Sequence, residues 1–329
     1  MEKNDFNDAN CRTEPKKMTR LPLSRLMIGT VQFGLDYGIA NHSGVPGFLE
    51  ICAMLEEAAS AGINCLDTAA GYGSSEEVIG RALAETGLKD FFFVVTKVGE
   101  KNPAELSLTE ARKSICESVE NSLRRLQADS LPLVMLHRDG NPAHLEALMS
   151  CRERGLIERC GVSLMHPDNA RHFLSDPALD AIQVPANVID HRFREIISTA
   201  HARGVLTFSR STYLQGLLLM DDSTTPAHLR PVTPDRGFFC RMARELSLSL
   251  PALLLQAMLS RIELDSLVVG METRKQLQEN IAILQSPPLP AEILEKIGAF
   301  APTVPDWLMD PAQWCLNEFQ IPARRDPPY

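Results

Sequence analysis

Apolar positions along the chain fall into two alternating rhythms. Short, nearly continuous apolar runs occupy 26–31, 63–67, 92–98, 132–136, 159–163, 181–184, 205–209 and 266–269, and read as buried strands. Between them lie longer stretches whose apolar residues recur every three or four positions, as one face of a helix requires. These predict helices at 48–61, 75–86, 109–127, 142–154, 167–174, 193–203, 235–246, 252–261 and 273–284. The 109–127 stretch is the clearest, with Ile115, Val119, Leu123 and Leu126 on one side. Local punctuation agrees. The 75–86 helix opens on S-S-E-E, which reads as Ser caps followed by acids in the first turn. Pro142 stands in the first turn of its helix, and Gly204 closes the 193–203 helix.

Eight strands, each followed by helix, imply a parallel sheet with helices outside. Eight such units over roughly 250 residues have the size of a closed (β/α)8 TIM barrel. A doubly wound open sheet is the competing α/β architecture. It is disfavoured because no G-x-G-x-x-G follows the first strand, where the chain reads G-T-V-Q-F-G. No linker interrupts the middle, so a single barrel domain is expected over 21–301. The polar segment 1–20 reads as a disordered tail without the apolar stretch of a secretory signal. A further helix is expected at 287–301. Beyond it, 302–329 is a Pro-rich tail carrying Trp307 and Trp314, large apolar groups that need a surface to cover, either the barrel mouth or the outside of the barrel.

Composition narrows the function classes. The net charge of −9 supplies no basic stripe for nucleic acid. No apolar run approaches the ~20 residues of a membrane span. The eight cysteines are scattered without C-x-x-C, and the eight histidines show no ligand spacing. Reduced thiols, no metal site and a cytoplasmic location are therefore expected. Oligomeric state stays open.

The candidate chemistry sits in D-T-A-A-G-Y-G, V-T-K-V and M-L-H-R. Asp67, Lys97 and His137 end the second, third and fourth strands, and Tyr72 lies in the loop five residues past Asp67. In a barrel, catalytic groups stand at the carboxyl ends of strands. Singly, a strand-end Asp is often a cap, a strand-end Lys a solvated charge and a loop Tyr packing. Together, on neighbouring strands, they make a proton donor with a tuning shell. A free phenol has a pKa of about 10, and an adjacent ammonium favours its ionised form.

These segments resemble the aldo-keto reductase family. The similarity runs in order through L-M-I-G-T-V-Q-F-G, G-I-N-C-L-D-T-A-A-G-Y-G-S-S-E-E, F-V-V-T-K-V-G, L-V-M-L-H-R, I-Q-V-P-A-N and V-V-G-M-E-T-R-K-Q-L-Q-E-N-I. The resemblance implies NADP- or NAD-dependent reduction of an aldehyde or ketone. In it Tyr72 is the general acid, Lys97 lowers the phenol pKa, Asp67 holds Lys97, and His137 orients the carbonyl oxygen. It also implies a cofactor set. Gly29 and Thr30, near the end of the first strand, belong to that set, and Ser163 and Gln183 would hold the nicotinamide carboxamide. Arg210 stands where an aromatic often stacks on the nicotinamide, and Leu164 where the family usually has Asn. Ser211, Tyr213 and Gly216 would line the pyrophosphate. Gly270, Glu272, Thr273, Gln276, Glu279 and Asn280 would receive the adenosine end at a helix N-terminus.

The choice of dinucleotide stays open at this level. Glu272 disfavours a 2′-phosphate, and Arg274 and Lys275 favour one. Phe33, Tyr37, Arg138, Asp139, Asn187 and Arg192 fall in loops around the mouth, a mixture suited to a hydroxylated or sugar-like carbonyl. The alternative is a non-enzymatic NAD(P)H-binding regulatory or accessory protein on the same fold. A metal-dependent hydrolase would need His/Asp clusters at strand ends, which the sequence does not offer.

Overall fold

The computed structural model describes residues 22–99 and 107–314. Eight parallel strands close in sequential order into a barrel. They are β1 (Leu26–Gly29), β2 (Cys65–Asp67), β3 (Phe93–Lys97), β4 (Leu133–Leu136), β5 (Cys160–Ser163), β6 (Ala181–Pro185), β7 (Leu206–Arg210) and β8 (Ser266–Gly270). Following the paired register once around the barrel displaces the chain by eight residues. That stagger is the one an eight-stranded (β/α)8 barrel adopts.

The helices are α1 (Phe48–Ser60), α2 (Ser75–Thr86), α3 (Leu108–Leu126), α4 (Leu145–Glu153), α5 (Pro167–Leu174), α6 (Arg194–Ala202), α7 (Thr233–Glu245), α8 (Leu250–Leu259), α9 (Arg274–Gln285) and α10 (Ala291–Gly298). Strand parity splits the core in two. Outward residues such as Ile28, Leu66, Val94, Val134, Val162, Ile182 and Val269 meet helix residues including Leu55, Ile79, Val119, Leu148, Phe173, Ile197 and Leu277. Inward residues Met27, Cys65, Phe93, Val95, Leu133, Met135, Ala181, Phe208 and Val268 fill the barrel.

Some boundaries differ from the periodicity. The apolar run at 26–31 stops being a strand at Gly29: the Thr30 amide makes the last ladder bond, to the carbonyl of Asp67 at 3.0 Å, and residues Val31–Phe33 then form a 3-10 turn. The 142–154 stretch is a 3-10 turn, Pro142–His144, followed by α4. The helix expected at 287–301 is shorter, since Pro287, Pro288 and Pro290 delay its start.

A second apolar cluster lies beside the barrel. It joins Val188 and Ile189 after β6, Leu214, Leu217 and Leu218 after β7, faces of α7, α8 and α10, and Leu308, Met309 and Trp314. Residues 302–314 thus pack into this flank. Thr303 and Val304 are tied to buried Asp235 of α7, with Thr303 Oγ1 donating at 2.6 Å. Segments 1–21 and 315–329 lie outside the described residues. The first contains the whole expected N-terminal tail, and the second more than half of the C-terminal one.

Candidate active site

One ring of eight positions forms the site. Met27, Cys65, Val95, Met135, Gly161, Ala181, Phe208 and Val268 are inward-facing positions, one on each strand. Two residues further along each strand, on the same face, stand Gly29, Asp67, Lys97, His137, Ser163, Gln183, Arg210 and Gly270. They make the floor of the carboxyl-end mouth, and each is a position the sequence singled out.

Lys97 is 1% exposed and its ammonium has three acceptors. It donates to Asp67 Oδ1 at 2.7 Å, Asp67 Oδ2 at 2.8 Å and the Thr68 carbonyl at 3.1 Å. Those three bonds saturate its three N–H groups. Burial pulls the Lys97 pKa below the usual lysine value, and the Asp67 charge opposes that fall. The same ammonium lies 5.1 Å from the centroid of the Tyr72 ring. The Tyr72 and His137 rings meet edge to face, with centroids 5.6 Å apart and planes at 76°. Burial drives the His137 pKa well below the ordinary imidazole value, with help from Lys97, Arg210 and Arg138. His137 is therefore a neutral imidazole with one N–H to give.

The loop carrying Tyr72 is fastened at both ends. Thr68 and Ala70 amides donate to the carbonyls of Val95 and Lys97, and the Ser75 amide donates to the carbonyl of Tyr72 at 3.0 Å. Backbone contact is closest at two glycines. A Cβ on Gly34 would sit 2.0 Å from the Tyr72 carbonyl oxygen, and Gly73 has φ +56° with its Cβ position 2.5 Å from the Gly34 oxygen. Only glycine permits this approach of the turn after β1 to the Tyr72 loop.

Several of the singled-out residues make bonds within the protein. Thr30 is fully buried, and its hydroxyl donates to the Asp67 carbonyl at 2.8 Å, so it braces β2 from within. Ser75 does not cap α2; its hydroxyl donates to the Thr30 carbonyl at 2.8 Å. Glu76, read as a first-turn acid, is buried, pairs with Arg125 at 2.6 Å and accepts from Thr96. The Tyr213 phenol donates to the Pro251 carbonyl at 3.3 Å. Gln276 and Thr273 are joined in a capping box, Gln276 Oε1 accepting from the amides of Glu272 and Thr273.

The other expected cofactor residues stand at or after the ends of the adjacent strands β5 to β8. Ser163 is buried at the end of β5. Leu164 follows it with its side chain in the outer core, which accounts for an apolar residue at that place. Gln183 donates to Asp67 Oδ1 at 2.7 Å, while its Oε1 is a buried acceptor with no partner. Arg210 reaches Met165 Sδ at 2.8 Å and the Leu164 carbonyl at 3.4 Å. Beyond it the chain takes left-handed backbone at Ser211, Leu214, Gln215 and Gly216. Asn187 holds this loop by donating to the Ser211 carbonyl at 3.1 Å. Gly216 abuts Ala40, where a Cβ would come within 2.5 Å. Asn280 is buried on α9, Glu279 is exposed, and Glu272 is partly exposed.

Of the expected substrate-loop residues, Phe33 is buried in the outer core and Asp139 accepts from the His166 amide at 2.8 Å. The Arg192 guanidinium pairs with buried Asp190 and donates to the Met309 carbonyl. Gln215 donates to the Tyr37 hydroxyl at 2.8 Å. Arg138 remains exposed beside His137. Among the described residues, no group of three or more His, Cys, Asp or Glu side chains could hold a metal ion. None of their helices is long and apolar enough to cross a membrane.

The sequence profile of the Aldo/keto reductase family matches residues 25–301. The NADH-specific methylglyoxal reductase of Escherichia coli is 27% identical over 305 residues, covering 82% of this chain and 92% of that one. Aldo-keto reductase YhdN of Bacillus subtilis is 30% identical over 172 residues, 50% of this chain and 52% of that protein. Among solved structures, the holo form of aldo-keto reductase AKR11C1 from Bacillus halodurans is similar with a TM-score of 0.67. It is 23% identical, over 84% of this chain and 91% of that one, a likeness that bears on the fold alone. With the profile spanning the whole barrel, this chain belongs to the aldo/keto reductase family of NAD(P)H-dependent oxidoreductases.

Proposed function

We propose that the chain reduces a small, polar aldehyde or ketone to an alcohol, with Tyr72 as the general acid. The observation that carries this reading is the stacking of Asp67, Lys97 and Tyr72: a saturated, buried ammonium held directly against the phenol ring. That cation eases loss of the phenolic proton to a carbonyl oxygen gaining negative charge. His137, neutral and edge-on to Tyr72, donates its N–H to the same oxygen and fixes its direction. Asp67 keeps Lys97 charged despite its burial, and Gln183 and Thr30 keep Asp67 in place.

The nicotinamide cofactor supplies the hydride when bound. The residues present fit it. The unpartnered Gln183 Oε1 is an acceptor suited to a carboxamide N–H, with Ser163 next to it in the rim. The left-handed loop after β7 would hold the pyrophosphate, and the N-terminal end of α9 the adenosine.

The methylglyoxal reductase relative is named for a small, polar dicarbonyl, in keeping with Arg138 at the mouth. The six free cysteines among the described residues fit a reducing cytoplasm. Turnover separates an enzyme from an accessory protein that only binds dinucleotide. NADH and NADPH titrations followed by a panel of small aldehydes, ketones and sugars should show consumption of at least one dinucleotide. Binding without consumption across the panel would sink the catalytic reading.

A further inference from the structure

The start of α9 is already occupied by acid. The amide of Arg274, its first residue, donates to Oε1 of Glu50 at 3.2 Å. Glu50 stands in the first turn of α1, against which α9 packs. Two turns along α1, Glu57 forms an ion pair with the Arg274 guanidinium and accepts from Gln278 Nε2 at 2.9 Å. The amides of Glu272 and Thr273 go to Gln276 Oε1, and that of Gln276 goes to the Thr273 hydroxyl. The remaining nearby cation, Lys275, stands 3.8 Å from Glu279. Both cations that would favour a phosphate are thus beside carboxylates, and Glu56 adds to the negative field on Arg274.

A separate observation lies at the end of β8, just before the start of α9. Gln32 is 7% exposed, its Oε1 has no partner, and its amide lies against Gly270, where a Cβ would come within 2.6 Å of Nε2.

We infer that Glu50 and Glu57 set the dinucleotide choice, holding the α9 terminus and Arg274 against a 2′-phosphate so that the chain selects NADH. This rests on the reading that the adenosine ribose faces the start of α9. A ribose 2′-phosphate carries between one and two negative charges at neutral pH. To bind there it would have to displace Glu50 from an amide and Glu57 from Arg274, against the repulsion of both. A free ribose 2′-hydroxyl instead donates to a carboxylate, which is how acids select NAD in dinucleotide sites.

The test is titration of the intact protein with NADH and with NADPH, following the fluorescence of the bound reduced nicotinamide. Glu50→Gln, Glu57→Gln and the double variant are titrated alongside. The wild type should bind NADH several-fold more tightly than NADPH. The double variant should lose most of that ratio, chiefly through a lower Kd for NADPH. Two results would overturn the assignment to these acids: a wild type that binds NADPH at least as tightly, or a ratio unchanged in the double variant. Failure of both dinucleotides to bind would overturn the cofactor-site reading itself, and this inference with it.

Discussion

Gln183 crosses from β6 to β2 and places its amide nitrogen 2.7 Å from Asp67 Oδ1. The bond ties a group proposed to hold the cofactor to the carboxylate that steadies Lys97. One side chain therefore links dinucleotide binding to the proton-donating shell. Its other end, the partnerless Oε1, leaves the carboxamide proposed to complete the link.

Gln183→Ala should accordingly damage two parameters at once. Removing a hydrogen bond to a charged group costs about 1.5–3 kcal/mol, roughly a ten- to hundredfold effect. The NAD(P)H dissociation constant should rise and kcat should fall. A change in one with the other intact would show that the two ends of Gln183 act independently.

Lys97→Met removes one member of a buried ion pair and leaves the Asp67 carboxylate without its cation. Such losses cost about 3–5 kcal/mol of stability. Reduction should be nearly as impaired as on loss of Tyr72 itself, with the alkaline limb of the pH–rate profile displaced upward. Superimposable wild-type and variant profiles would contradict the tuning assigned to Lys97.

His137 gives a pH dependence of defined sign. Its folded pKa lies well below 6.5, so below pH 6.5 the unfolded chain binds a proton that the native state refuses. Its contribution to stability is therefore complete above about pH 6.5 and is lost progressively as pH falls toward the folded value. His144 and His191 are shifted the same way, so the comparison must be between proteins. Chemical denaturation of His137→Gln from pH 7.5 to 5 should show a shallower loss of stability than wild type. An identical slope would mean that His137 titrates normally.

Loss of a C-terminal segment lying over the mouth would affect substrate recognition first. Among the described residues, 302–314 share a cluster with Leu214, Leu217 and Leu218 of the loop proposed to hold the pyrophosphate. Trp314 is buried there and its indole N–H donates to the Leu308 carbonyl at 2.9 Å. Trp314→Ala should destabilise the fold by about 3–5 kcal/mol. It should also raise the NAD(P)H Kd more than it alters KM for the carbonyl. A rise confined to KM would show that the segment acts on the substrate pocket and not on the dinucleotide loop.

The barrel and its rim were legible because both depend on local period. Alternation of strand and helix gave the architecture. Strand ends brought Asp67 and Lys97 to one rim without knowledge of their neighbours, whereas Ser163, Gln183 and Arg210 were legible only through the resemblance to the aldo-keto reductase family. What escaped depends on partners distant in sequence. Nothing near Ser75 or Glu76 shows that one bonds Thr30 and the other Arg125. Likewise, nothing near Arg274 shows that α1 supplies two acids to it. Gln276 was legible as a match to a cofactor motif, yet its geometry also satisfies a capping box, and in this structure the cap holds it. The 26–31 run overshot because Val31, apolar like the strand before it, opens a 3-10 turn.

The central claim is that Tyr72 donates the proton. Tyr72→Phe removes one oxygen and leaves Lys97, Asp67 and the loop contacts of Gly34 and Gly73 in place. The decisive measurement is single-turnover reduction of an accepted aldehyde by the variant preloaded with reduced dinucleotide, alongside its dinucleotide Kd. An unchanged Kd is expected, with a rate lower by about 10²–10⁴-fold, the usual contribution of general acid catalysis. A near wild-type rate at unchanged Kd would contradict it.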